Sequence, residues 1–360
     1  MVLEGVFTMR ILVVAPAPLG DTLFITPALR ALRRGFAEAG IDVIAAEKSK
    51  EILHGNDNLD SLFTVRGKAG LIHKIIELRS TEYDLAAGLS RTGSFFLPLV
   101  RAEDKAGLMS PGAGDNPGVL DHRYSIHAAD YCLGIAEMLG GVSEDEPELE
   151  LPVSRGDSER VASLVRGAIS SVAVDAPLVA IHPGGRFFSL KRWPIEKFTL
   201  LVSKLDRRGV PVVFVGGEND CDLAERVIDN AHTYYHRPLN FCGRLSVKET
   251  AALLESCSLF VGNDSGPMHI AAAVGTPVVG LFGPTSEVNF HPYCSEYRIV
   301  AADMECRPCF YWLGDLKQYL PDYLPEWATG CPGACMEKIT VRDVMEEVDH
   351  YLAGVKKELI

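Results

Sequence analysis

A chain of 360 residues, 47% hydrophobic and 23% charged, is long enough for two domains of about 150–200 residues and has an ordinary soluble, globular composition. Its formal charge of −13 is shared by both halves, neither of them basic, which argues against a broad nucleic-acid or anionic-membrane surface. No stretch reaches the ~20 uninterrupted apolar residues of a membrane span, and nine cysteines, an odd count, do not make a complete disulfide framework.

The opening "MVLEGVFTMRILVV" has an acid near its front and no small-residue cleavage site, so it does not read as a secretory leader, and a cytoplasmic location is expected. Residues 1–8 read as a loose N-terminal extension. "RILVVAPAP" then reads as a buried strand, "DTLFITPALRALRRGFAEAG" as one helix stopped by Gly40, and "IDVIAAE" as a second strand. "LDSLFTV" (strand), "AGLIHKIIELRS" (helix) and "YDLAAGL" (strand) continue the pattern. "GVSEDEPELELPVS" carries five carboxylates between Ser143 and Glu150 and reads as a solvated link, with an N-terminal domain over 9–165 and a C-terminal domain over 166–360. The alternation resumes with "PLVAIHPGG", "IEKFTLLVSKLDRRG", "VPVVFVGG", "CDLAERVIDNA", "SVKETAALLESC", "SLFVGN" and "PVVGLFG", and a last helix lies in "TVRDVMEEVDHYLAGVKKEL". Strand, helix, strand with short links predicts α/β units with doubly wound parallel sheets.

In such sheets ligands bind beyond the carboxyl ends of the strands. "GNDSGPMHIAAAVGTPVVG", from Gly262 to Gly280, has that layout of strand, polar loop and helix. Asp264 or Ser265 can cap the helix, Gly266 permits close backbone approach, Pro267 presets the first turn and Gly275 suits the left-handed stop. The N–H groups at the helix start, with Asn263 before them and His269 beside them, form a phosphate site. A well-capped helix uses the same residues, and this stretch alone leaves both readings open.

Three further loops favour a ligand. "IHPGGRFFSLKRWP" sets Lys191 after a glycine turn, where an ammonium neutralises a diphosphate. "FVGGEND" sets Glu218 just past a strand, where a carboxylate accepts from ribose hydroxyls. "GLFGPTSE" ends a strand on Gly283, Pro284 and Thr285, another close backbone turn. Together they predict a nucleotide-diphosphate site, and the absence of G-x-G-x-x-G after either unit's first strand argues against a dehydrogenase.

In the first unit, "VVAPAPLGDTLFITP" puts Gly20 and Asp21 at a strand-to-helix junction. An aspartate there is an ordinary helix cap. If the two sheets oppose each other across a cleft, it is also placed to take the proton of an acceptor hydroxyl, with Gly20 and Thr22 as acceptor contacts. Arg30, Arg33 and Arg34 read as solvated helix charges.

"ILVVAPAPLGDTLFITPALRALR", "HPGGRFFSLKRWP", "VGGEND" and "GNDSGPMHIAAAVGTPVVGLFGPTSE", in this order, resemble glycosyltransferase family 9, the ADP-heptose:lipopolysaccharide heptosyltransferases. The resemblance runs from Arg10 to the final helix and implies the GT-B architecture, two facing Rossmann-like domains with the donor in the second and the acceptor in the first. It implies Asp21 as general base, Lys191 on the donor diphosphate, Glu218 on the nucleoside, and Asp264, Ser265, Gly266 and His269 around ribose and phosphates. It further implies inverting transfer of a heptose, with no catalytic metal or cofactor, onto a lipid-linked or lipopolysaccharide-core acceptor at the inner leaflet. The chain departs from the family in carrying "APAP" before "LGD". Two rival readings share the donor pocket: a sugar-nucleotide epimerase of the same architecture, and a non-catalytic nucleotide-sugar-binding protein.

Late in the chain, Cys306 and Cys309 form a C-x-x-C pair and Cys331 and Cys335 a C-x-x-x-C pair. A structural zinc, clustered thiols and a disulfide are all compatible with that spacing. Tyr311, Trp312, Tyr319, Tyr323 and Trp327 between the pairs make either a greasy rim facing lipid or sugar, or a locally packed loop.

Overall fold

The computed structural model describes residues 9–108, 119–120, 126–144, 146–168, 177–185, 189–308 and 334–353, so the expected extension at 1–8 lies outside the described residues. The chain forms two units, Met1–Pro152 and Val153–Ile360, each an α/β structure around its own parallel sheet. The division falls at the end of the acidic link. Helix Arg155–Ala168 (α7) packs on Val247–Glu255 (α10) of the second unit, and Arg160 pairs with Glu249 across them.

In the first unit the strands β1 (Arg10–Ala15), β2 (Gly40–Ala46), β3 (Ser61–Val65), β4 (Tyr83–Gly88), β5 (Ala102–Leu108) and β6 (Val119–Leu120) lie in the order β3-β2-β1-β4-β5-β6. The chain steps outward from β1 to β3, returns to β4 beside β1, and steps outward the other way, so the order reverses between β1 and β4. Ile11 pairs in register with Ile41 on one side and Leu85 on the other. Strands covered on both faces need apolar residues throughout, which "ILVVA" supplies.

The helix expected over residues 21–40 is two, α1 (Leu19–Leu23) and α2 (Thr26–Gly35). Pro27 lacks an N–H and its ring collides with a helical carbonyl four residues back, so it is tolerated only in a new first turn. Gly40, expected to stop the helix, instead opens β2. The acidic link is not a solvated edge either. Glu150 takes Arg30 at 2.8 Å and both Asn56 and Asn58 at 2.8 Å, Glu144 takes Arg30 and Arg34, and Arg33 pairs with Asp60 at 2.6 Å. These arginines fasten the link and the β2–β3 turn to α2.

The second unit comprises β7 (Val179–His182), β8 (Val212–Phe214), β9 (Leu239–Asn240), β10 (Leu259–Asn263), β11 (Val278–Phe282) and β12 (Tyr297–Ala301), ordered β12-β11-β10-β7-β8-β9 and all parallel. Its order reverses between β7 and β10. Helices α8 (Ile195–Asp206), α9 (Cys221–Asn230), α10, α11 (Gly266–Ala273) and α14 (Val341–Leu352) flank the sheet, while α12 (Glu287–Phe290) and α13 (Ala334–Lys338) are single turns. Trp193, Phe198, Phe214, Val261, Leu281, Met336 and Val344 meet in its core. Ser246 with Glu249 and Thr340 with Asp343 close capping boxes at α10 and α14. Among the described residues no helix is long and apolar enough to cross a membrane.

Candidate functional site

Both reversal points carry the residues that the sequence singles out, in accord with the rule that open parallel sheets bind ligands at their switch points. In the second unit the loops after β7, β8 and β10 are tied together there. Asn263, wholly buried at the end of β10, accepts from the Trp193 N–H at 3.0 Å and donates to the Gly184 carbonyl at 2.7 Å and the Pro183 carbonyl at 3.2 Å. The side chain expected to touch a donor is thus spent on tying the β7 loop and the entry to α8 to the central strand. Asn263→Ala is expected to cost about 2–4 kcal/mol in urea unfolding, because the Trp193 N–H and two carbonyls lose their partner in the interior.

That tie sets Lys191. Trp193 is buried, its indole N–H donating to the Ile339 carbonyl at 3.0 Å, while Arg192 closes on the Gly185 carbonyl at 2.9 and 3.1 Å. Lys191, one-fifth exposed, ends the 3-10 turn Ser189–Lys191 with its ammonium 2.8 Å from Asp264 Oδ2. On the other oxygen Asp264 meets His269 Nε2 at 3.7 Å. Burial alone would raise the Asp264 pKa, but the Lys191 ammonium and the His269 ring hold it well below the usual carboxylate range. Lys191, Asp264 and His269 therefore form one connected charge cluster, 191 with 264 and 264 with 269.

Helix α11 opens at Gly266 with Ser265 at its N-cap and Pro267 in its first turn, and Gly275 takes the left-handed conformation after it at φ 74°. Ser265 makes no side-chain cap: its Oγ lies 2.9 Å from His182 Nδ1 and 2.9 Å from the Asn263 carbonyl. Glu218 is exposed at the head of the 3-10 turn Glu218–Asp220 beyond β8. Gly243, at φ 68°, leaves no room for a Cβ against the Glu218 backbone, which lies 2.9 Å from where it would sit.

Gly283, expected on the donor, is closely packed on its Cα side. A Cβ there would meet Met336 Sδ at 2.4 Å, and its carbonyl accepts from Arg307 Nε. Two residues on, Thr285 is buried at 4% exposure and its Oγ1 has no hydrogen-bond partner among the described residues. The turn is readable in sequence, but which of its residues carries an unspent polar group is not.

In the first unit Asp21 lies in the first turn of α1, half-buried, at the carboxyl end of β1. Thr22 beside it is wholly buried, its hydroxyl 2.9 Å from the Pro18 carbonyl and 3.2 Å from that of Ala17, so it fixes the turn instead of meeting an acceptor. Gly20 is half-buried in the same turn. Burial and then the charge of Asp21 push up the thiol of Cys132, on α6 (Ala128–Met138).

Among the described residues no three His, Cys, Asp or Glu side chains are grouped to hold a metal ion. Cys335 is buried beside Gly283 and Cys306 is exposed. Cys309, Cys331 and the five aromatic residues between the cysteine pairs lie outside the described residues.

A model of glycosyltransferase family 9 (heptosyltransferase) matches residues 77–320, which take in every donor-side residue above and leave Asp21 outside. Lipopolysaccharide heptosyltransferase 3 of Escherichia coli strain K12 is 28% identical over 319 residues, 84% of this chain and 90% of that protein. A solved glycosyl transferase family 9 protein from Veillonella parvula DSM 2008 superposes with a TM-score of 0.77 at 22% identity, over 96% of this chain and 98% of that one. The E. coli heptosyltransferase WaaC with ADP superposes with a TM-score of 0.66 at 17% identity, over 95% of this chain and 100% of that one. The likenesses show the GT-B fold.

Proposed function

The chain belongs to glycosyltransferase family 9, and on that premise we propose that it moves a heptose from ADP-heptose onto a lipopolysaccharide-core acceptor by inverting displacement. The observation that carries the donor half is the meeting, at the β7/β10 switch point, of the Lys191 ammonium, the start of α11 and the Ser265 hydroxyl. ADP as the nucleotide draws support from WaaC, solved with ADP on the same fold.

In this reading Asp21 takes the proton of the acceptor hydroxyl as that oxygen bonds to the anomeric carbon. The bond from this carbon to the diphosphate breaks in the same step, its electron pair leaving with ADP, and the configuration inverts. Lys191 carries three N–H donors, of which Asp264 engages one, and the others stabilise the departing charge together with the α11 amides. Glu218 accepts from the nucleoside. No step calls on a metal ion. The acceptor is lipid-linked, and the protein works at the inner leaflet from the cytoplasmic side.

The test is a panel of ADP-, UDP- and GDP-sugars, each with and without lipopolysaccharide-core acceptor. ADP-heptose is expected to raise the melting temperature by a few degrees at saturation, and ADP to be released only when acceptor is present. Conversion of the sugar nucleotide without acceptor would establish the epimerase reading, and binding with no turnover the non-catalytic one.

A further inference from the structure

His182 and Asp220 lie in the donor-side loops but have no part in the reading above. His182 is 2% exposed at the end of β7, with Nδ1 2.9 Å from Ser265 Oγ and Nε2 3.3 Å from Asp220 Oδ2. Asp220 is fixed in turn by the Gly217 N–H at 2.9 Å. Two glycines make room for it. A Cβ at Gly184 would fall 1.9 Å from Asp220 Oδ1, and one at Gly216, whose φ is 156°, would fall 2.7 Å from Oδ2. Three strand-end loops, 38 and 83 residues apart along the chain, are thereby joined into one line from carboxylate through imidazole to hydroxyl.

We propose that His182 and Asp220 are positioning residues that turn the Ser265 hydroxyl into an acceptor for a ribose hydroxyl of the donor, an inference that rests on the nucleotide reading of this pocket. The hydrogen-bond inventory carries it. An ionised carboxylate only accepts, so His182 presents Nε2–H to Asp220 and leaves Nδ1 as an acceptor. The Asp220 carboxyl is held ionised: burial would raise it, but the His182 hydrogen bond, with the Gly217 N–H, brings it below the usual range. Ser265 has one proton and two acceptors at 2.9 Å, His182 Nδ1 and the Asn263 carbonyl. With Nδ1 unprotonated, two lone pairs would repel at 2.9 Å unless the hydroxyl proton lies between them, so Ser265 donates to Nδ1 and Oγ meets the ligand with lone pairs only. Phosphate oxygens are acceptors and are not served by such a group; ribose hydroxyls are donors and are. Glu218, in the same turn as Asp220, is likewise an acceptor, so the nucleoside end belongs on the β7/β8 side and the diphosphate on the Lys191 side.

The test is calorimetry with ADP and 2′,3′-dideoxy-ADP on the wild type, Ser265→Ala, Asp220→Asn, His182→Ala, His182→Asn and the Asp220→Asn/Ser265→Ala pair, with circular dichroism to establish that each is folded. Asp220→Asn reverses the line, since the amide donates to Nε2 and Nδ1–H then donates to Ser265, occupying a lone pair that the ribose hydroxyl would otherwise use. The preference for ADP over the dideoxy nucleotide is expected to fall about threefold to tenfold in Ser265→Ala, Asp220→Asn and His182→Ala, the worth of one hydrogen bond. The pair should lose no more than either single variant, because Asp220 acts only through Ser265. His182→Asn, which keeps an acceptor near the Nδ1 position, should retain more of the preference than His182→Ala. Equal losses for both nucleotides, an unchanged preference in Asp220→Asn, or additive losses in the pair would each overturn the proposal while leaving the ADP site intact. A wild type that binds neither nucleotide would overturn the nucleotide reading itself, and this inference with it.

Discussion

Replacing Asp21 by alanine is expected to lower the rate of transfer by about 10²–10⁴-fold, the range contributed by a positioned general base, and to leave ADP affinity within about twofold. The carboxylate stands in the first unit, at the β1/β4 switch point, whereas every residue proposed for the nucleotide belongs to the second. A group that acts on the acceptor alone changes turnover and not donor binding. Asp21→Asn should lose as much as Asp21→Ala, since the amide keeps the shape and removes the basicity.

Thr22, not Asp21, supplies the side-chain hydroxyl that holds the turn after β1. A carboxylate at a helix start contributes about 0.3–1 kcal/mol, and α1 is only one turn long. Turnover and ADP calorimetry on the same preparations decide the matter: if affinity falls as far as rate, Asp21 serves the donor, and if neither falls it serves only as a helix-start residue.

The fold was legible in sequence where a local rule operates. Continuous apolar runs marked β1, β7, β10 and β11, and the glycine at 275 marked a helix stop that the backbone adopts. Pro27 carried a signal that the hydrophobic pattern across residues 21–40 masked, because α1 and α2 bury one continuous set of apolar residues on either side of the break. The site was legible as a set of loops but not as a set of orientations. Asn263, Thr22 and Gly283 sit in the right loops and spend their groups on the protein, which depends on partners 70 to 80 residues away for Asn263 and on Met336 for Gly283. His182 and Asp220 give no signal in the sequence for the same reason. Each looks like a strand end or a turn residue until the crossovers bring them together, and the only local hint was two glycine pairs, Gly184–Gly185 and Gly216–Gly217, beside them.

Lys191→Ala is expected to weaken ADP binding about tenfold to a hundredfold, the loss of one charge-assisted hydrogen bond to a diphosphate. It should also destabilise the apo protein by about 2–3 kcal/mol at neutral pH. Asp264, 6% exposed, loses the cation at 2.8 Å and keeps, among the described residues, His269 at 3.7 Å, and a buried charge stripped of its partner is costly. The figure sits below the roughly 3–5 kcal/mol of a fully buried pair because Lys191 is one-fifth exposed. The pH dependence has a fixed sign. Asp264 is held below its ordinary value when folded, so the pair's contribution is whole above the unfolded carboxylate value of about 3.9 and is lost as pH falls towards the folded one. The stability deficit of Lys191→Ala should therefore be full at pH 7 and shrink on acidification below about pH 5. Lys191→Met with Asp264→Asn separates the two effects: removing both charges should recover most of the stability and none of the ADP affinity. Recovery of ADP binding in that pair would mean that Lys191 acts on the nucleotide only by neutralising Asp264, and the diphosphate contact would have to be given up.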